Sequence, residues 1–237
     1  MNNARMAAAI VLAMAGFFGS GLRAAEPAPG VVPALRDVAF AAKLDGTEQR
    51  YVLMLPAGFD ARKPHSLLVA LHGHGADRWQ FAKDARDECR AARDFAAKHQ
   101  LIFVSPDYRA KTSWMGPQAE ADLLQILDEL AARYRLDKVI VCGGSMGGTA
   151  ALTFAALHPA RVQGVVALNG TANLVEFAGF PEALAASYGG TKAERLTNIA
   201  NAPPSFGRSA SPCRSRSRRA AWTWSSRPTA SCAWRRN

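Results

Sequence analysis

The sequence predicts an α/β fold, a mostly parallel sheet with helices on both faces, and three observations carry that expectation. Short continuous apolar runs at 66–71, 101–104, 138–142 and 164–169 have the length and composition of strands covered on both sides. Helical patterns at about 81–99, 117–134 and 146–157 lie between them, and such alternation brings successive strands back parallel through right-handed crossovers. The length of 237 residues, with 49% hydrophobic and 20% charged residues, suits one domain with one core; it excludes a fibrous or wholly disordered chain.

Taken in order, the domain opens with extended runs at 38–42 and 49–55 around Leu44-Asp45-Gly46-Thr47. Asp-Gly between such runs is a hairpin signal, so these strands are antiparallel. The run at 66–71 is bounded by Pro64 and Gly73, and the helix at 81–99 carries Phe81, Ala85, Cys89, Ala92 and Ala96 on one stripe. The strand at 101–104 ends at Ser105-Pro106-Asp107. Pro117 then starts a helix in which Leu123, Leu127, Leu130 and Tyr134 recur at helical spacing, with acids in its first turn where the helix dipole favours them. The strand at 138–142 is followed by an Ala-rich helix that stops at His158-Pro159. The segment 171–200 is less regular and reads as a substrate-facing excursion. Cys89 and Cys142 read as core fillers, and four Cys in this length do not make a disulfide scaffold.

The net charge of +10 belongs to one end. Eight Arg lie in 201–237, where there is no Lys, Asp or Glu, and the rest of the chain holds 21 basic against 19 acidic residues. A nucleic-acid reading would therefore rest on this tail alone. After Ile199 there is no Val, Ile, Leu or Met, yet Trp222, Trp224 and Trp234 occur there, so 204–237 cannot pattern a sheet core. It reads as an irregular Arg/Ser/Trp-rich tail with the composition of a GC-rich coding sequence translated out of frame. At the other end, Arg5, the apolar run 6–18 and the small residues up to Ala25 have the layout of a secretory signal over 1–25. Thirteen apolar residues reach about 20 Å, short of the ~30 Å that a membrane-spanning helix must cross. Residues 26–36 are then a linker, 37–203 the domain, and the location secreted or periplasmic, with no membrane partner once the signal is removed.

The chemistry is concentrated in Val141-Cys142-Gly143-Gly144-Ser145-Met146-Gly147-Gly148, a GxSxG pattern between a buried strand and a helix. In such an elbow the bend is so tight that side chains at Gly143 and Gly147 would collide with neighbouring backbone, and the Ser is left projecting. Ser145 is the candidate nucleophile. The loop His72-Gly73-His74-Gly75 directly follows another strand, where a second backbone donor for an oxyanion would come from. The expected donors are Met146 N–H and His74 N–H, with Gly75 N–H as the competitor for the second place. His72 and His74 point to opposite sides of a strand-end loop without a third ligand, so no metal is assigned, and the reading calls for no cofactor.

These residues resemble those of the α/β-hydrolase superfamily, particularly secreted bacterial esterases of the polyhydroxybutyrate-depolymerase and feruloyl-esterase type, with prolyl-oligopeptidase catalytic domains as relatives. The matching pieces are LHGHG (71–75), VSPDYR (104–109), SWMGP (113–117) and CGGSMGG (142–148), within about residues 37–200. The resemblance implies an α/β-hydrolase three-layer sandwich. It also implies an acyl-enzyme on Ser145 formed from a small-molecule ester or acylated polymer.

That family places its acid and then its His after the nucleophile. No Asp follows Ser145, and the only later His is His158, about 20 Å along the helix. Its expected contacts are the helix-end carbonyls. Glu176, Glu182 and Glu194 remain as acids with no base to orient. The sheet is expected to lack its last strands, leaving an apolar edge beside 165–168, and the chain to be nearly inactive. Other readings are a prolyl-oligopeptidase-like serine peptidase, a non-catalytic basic module binding nucleic acid or heparin through a native tail, and an inactive hydrolase fold that binds ligand near Trp114 and Phe177.

Overall fold

A computed structural model describes residues 34–190. The segment 1–25 expected to be a secretory signal, most of the expected linker and the tail 204–237 lie outside these residues, as does Glu194. Within them β1 (Leu35–Ala41) and β2 (Glu48–Met54) form the expected hairpin, turning through Gly46 at φ +73°. Then follow β3 (His65–Leu71), α1 (Trp79–Lys83), α2 (Asp87–Lys98), β4 (Ile102–Pro106), α3 (Pro117–Arg133), β5 (Leu136–Gly144), α4 (Met146–Leu157), β6 (Gly164–Leu168) and α5 (Pro181–Tyr188). The sheet order is β1-β2-β4-β3-β5-β6, antiparallel at β1/β2 and β2/β4 and parallel across β4, β3, β5 and β6.

Strand periodicity divides the core into two layers. Leu67, Val69 and Leu71 join Val139, Val141, Leu123, Leu127, Leu130, Ala150 and Phe154 under α3 and α4. Leu68 and Ala70 face the other way, with Phe81, Cys89, Ala96, Phe103 and Cys142 under α1 and α2. Cys89 and Cys142 are buried free thiols in that second layer, and burial raises their pKa to about 11 and about 12.

Three expectations change. β1 begins at Leu35, inside the expected linker, because Leu35 pairs with Met54 and packs on the second core layer. The single helix expected over 81–99 is two, interrupted at Asp84, whose backbone is extended (φ −61°, ψ 140°). There the Asp84 carboxylate accepts the Arg86 N–H at 2.9 Å, a local bond that competes with the helical one, while Arg93 donates to the Phe81 and Asp84 carbonyls. The irregular 171–200 contains α5, whose Tyr188 hydroxyl donates to the Trp114 carbonyl at 2.9 Å.

Among the described residues β6 ends the sheet, and Val165, Val166 and Leu168 are exposed at 36%, 49% and 40%. Apolar groups along an end strand favour intermolecular association. Val166→Lys is expected to lower the aggregation rate on heating, followed by light scattering.

At the opposite side Arg109 ties three elements together, reaching Asp45 at 2.7 Å in the hairpin turn and Asp122 at 2.8 Å on α3. Asp122 is 1% exposed, and burial, opposed by Arg109, raises its pKa from 3.8 to about 6. Between those pH values the folded state binds the extra proton, so this carboxyl's contribution to stability declines as pH rises from about 4 to about 6. The total is at most ~3 kcal/mol. Urea unfolding at pH 5 and pH 7 should show that decline in the parent chain and lose it in Asp122→Asn.

Candidate active site

The parallel strands end on one edge of the sheet, where the loops after β3, β4, β5 and β6 meet. Open α/β sheets bind their ligands at this edge. β5 hands over to α4 at Ser145, which has φ 55° and ψ −118°, a conformation that costs a non-glycine residue about 1–3 kcal/mol. The Ser145 N–H donates to the Leu168 carbonyl at 2.8 Å, anchoring the bend to the end of β6. Ser145 stands in the N-cap position of α4, yet its hydroxyl makes no capping bond and the residue is exposed.

The glycines flanking the bend are required by backbone contact. A Cβ on Gly143 would run into the backbone of Gly147 and lie 2.8 Å from the Leu71 carbonyl oxygen. One on Gly147 would meet the Leu71 and His72 carbonyls, the latter at 2.7 Å. Gly148 and Gly170 are similarly confined, by the Leu168 carbonyl at 2.9 Å and the Thr149 N–H at 2.5 Å. Gly144 has nothing within 4 Å of its Cβ position. The GxSxG spacing identifies the first pair; nothing in the spacing points to Gly170.

These contacts also place the 72–75 loop against the bend, and a Cβ on Gly73 would lie 3.5 Å from the Gly144 carbonyl oxygen. In that loop the Gly73 N–H donates to Gln80 Oε1 at 2.7 Å and the Gly75 N–H to the Lys111 carbonyl at 2.8 Å. The His74 N–H has no partner among the described residues, and neither has the Met146 N–H at the first position of α4. Of the two competitors for the second donor, Gly75 is thus already engaged and His74 is open. The positive end of the α4 dipole adds to the attraction of this place for an anion.

The His74 ring accepts the Trp114 Nε1–H at 3.2 Å and stacks on Phe180 with centroids 4.2 Å apart. Trp114 is buried, and with Phe177 and Phe180 it forms an aromatic wall beside the loop. Tyr108, Arg109, Trp114, Met115, Asn169 and Phe180 all have positive φ, so unusual backbone concentrates on the loops around Ser145. The sequence marked Trp114 and Phe177 as a ligand region, but the αL conformation of Phe180 gave no signal in advance. His72 is fully buried, its Nδ1 lying 2.9 Å from the Gly73 carbonyl and its Nε2 3.1 Å from the Asp107 carbonyl, and burial pushes its pKa down.

His158 caps the far end of α4, with its Nε2 2.8 Å from Glu120 Oε1. It bonds a carboxylate on α3 in place of the helix-end carbonyls expected from the sequence, because the start of α3 lies beside the end of α4. Glu176 and Glu182 are exposed. Among the described residues no group of three or more His, Cys, Asp or Glu side chains is arranged to hold a metal ion.

The chain belongs to the alpha/beta hydrolase fold family, whose profile matches residues 67–224. Among solved structures it is similar to FphF, a fluorophosphonate-binding serine hydrolase of Staphylococcus aureus, with 20% identity, a TM-score of 0.54, and coverage of 71% of this chain and 72% of that one. It is also similar to the S-formylglutathione hydrolase FrmB of the same organism, with 19% identity, a TM-score of 0.52, and coverage of 73% and 70%. A ferulic acid esterase matches with 17% identity and a TM-score of 0.51, over 60% of this chain and 62% of that one. At these identities the likeness is one of fold. No curated protein sequence matches the chain.

Gly143→Ala and Gly147→Ala should each destabilise the fold by several kcal/mol, while Gly144→Ala leaves the unfolding midpoint nearly unchanged. Denaturant titration of the three variants measures this ordering.

Proposed function

We propose that the chain is a serine hydrolase for carboxylic esters, with Ser145 as the nucleophile and the Met146 and His74 N–H groups as oxyanion donors. One observation carries this reading: Ser145 is strained, exposed and not used as a cap, the 72–75 loop packs against its bend, and the Met146 and His74 N–H groups have no partner among the described residues. Addition of Ser145 Oγ to an ester carbonyl places negative charge on the carbonyl oxygen, and each donor aimed there lowers the barrier by ~3 kcal/mol. The alcohol then leaves and the acyl group stays on Oγ until water removes it.

Both steps need a base. No Asp follows Ser145, and His158 is held at the other end of α4. Oxyanion donors and binding alone leave ~10³ to 10⁴-fold acceleration over water. The chain is therefore expected to acylate slowly, and only with activated esters, and to turn over poorly. The signal-like N-terminus supports a secreted or periplasmic setting, with a small-molecule ester or acylated polymer as substrate.

A fluorophosphonate probe should form one adduct, located on Ser145 by peptide mass spectrometry and absent from Ser145→Ala. With p-nitrophenyl acetate the parent chain should show acylation with little turnover. Labelling that persists in Ser145→Ala would refute the assignment, and rapid Ser145-dependent turnover would show that a base is present.

A further inference from the structure

The geometry points to His72 as a positioning residue of the oxyanion site: its Nδ1–H holds the Gly73 carbonyl oxygen and so aims the His74 N–H at the space over Ser145. This inference rests on the reading of His74 N–H as an oxyanion donor.

Gly73 C=O and His74 N–H belong to one peptide plane, and in a trans peptide the two bonds point in opposite directions. Fixing the oxygen therefore fixes the direction of the hydrogen. The Gly73 oxygen is held from two sides, by the Ala76 N–H at 3.1 Å and by His72 Nδ1 at 2.9 Å. The first contact closes a turn over 73–76 with Gly75 at φ +82°, as a type II turn requires of its third residue. The second comes from a side chain that is itself immobilised. His72 has no exposed surface, its ring lies 4.5 Å from the Tyr108 ring, and its own carbonyl accepts the Tyr108 hydroxyl at 2.6 Å. That same carbonyl borders Gly147. One residue thus touches the elbow through its backbone and the oxyanion turn through its ring.

The His72 ring faces two carbonyl oxygens, Gly73 at 2.9 Å from Nδ1 and Asp107 at 3.1 Å from Nε2. A neutral imidazole carries one N–H, so it can donate to only one of them. Donation from Nε2 would tie His72 to the loop after β4 and leave a lone pair against the Gly73 oxygen. Donation from Nδ1 completes the shorter contact and orients the peptide that bears the oxyanion donor. The two arrangements predict different outcomes when the ring is replaced by an amide, because the Asn amide reaches the δ position and the Gln amide the ε position.

The test is the kinetics of fluorophosphonate labelling of Ser145 in the parent chain and in His72→Asn, His72→Gln and His72→Phe, with thermal unfolding of each followed in parallel. His72→Asn is expected to retain most of the parent kinact. His72→Gln and His72→Phe should lose about 10- to 100-fold in kinact with KI little changed, somewhat less than the loss of a whole donor. Equal rates in all four proteins, or a rate kept by His72→Gln and lost by His72→Asn, overturn the positioning role while leaving Ser145 as nucleophile. Absence of labelling in the parent chain overturns the proposed function and this inference together. Since His72→Asn and His72→Gln differ by one methylene, a rate difference between them at similar unfolding midpoints is not a folding effect.

Discussion

Everything at the candidate site depends on how closely the bend between β5 and α4 approaches the end of β3. Backbone meets backbone there: Gly143 and Gly147 lie against each other and against the Leu71 and His72 carbonyls, with no room for a side chain. The approach makes the reversal at Ser145 sharp enough to force φ to 55° and turns the hydroxyl outward. It also carries the start of α4 up to the His72 carbonyl, at the head of the turn over 73–76. Strain of this kind persists only where the surroundings over-determine it. Here the Leu168 carbonyl holds the Ser145 N–H, and buried side chains under α4 hold the helix.

Around this contact the loops are braced by side chains of a different character. Arg78 spans from Asp107 to Asp37, linking the loops after β3 and β4 to the hairpin, and its backbone N–H also donates to Asp107. This guanidinium beside Asp37 holds that carboxyl below its ordinary range. On the aromatic side, Trp114 joins the 72–75 loop through His74 and joins α5 through its carbonyl. The turn over 73–76 is therefore gripped by an ion-pair network on one flank and an aromatic stack on the other.

The sequence was most informative where a single local rule has no competitor. The four parallel strands and the Asp-Gly hairpin declared themselves through continuous apolar runs and turn chemistry, although β6 is exposed and not covered on both faces, and Gly143-x-Ser145-x-Gly147 between a strand and a helix marked the elbow. The break at Asp84 was hidden because Phe81 and Cys89 keep a helical stripe even though they sit on two helices; only the Asp84–Arg86 bond ends the first one. The partners of His74 and His72 were illegible for another reason. Trp114, Phe180 and Asp107 come from separate segments, and no spacing rule connects them. The same holds for His158, whose partner Glu120 lies 38 positions away.

A helix that begins with Ser usually spends that hydroxyl on its own first turn, a saving of ~1 kcal/mol. In α4 the hydroxyl is withheld, and the leading amide is left without a protein acceptor among the described residues. Among the described residues the native state thus leaves a backbone donor unused beside an exposed hydroxyl, and an anion settling there would supply what the helix forgoes. Ligand occupancy and thermal resistance become linked through RT ln(1 + [L]/Kd), so a guest of this shape should firm up the whole domain, not the pocket alone.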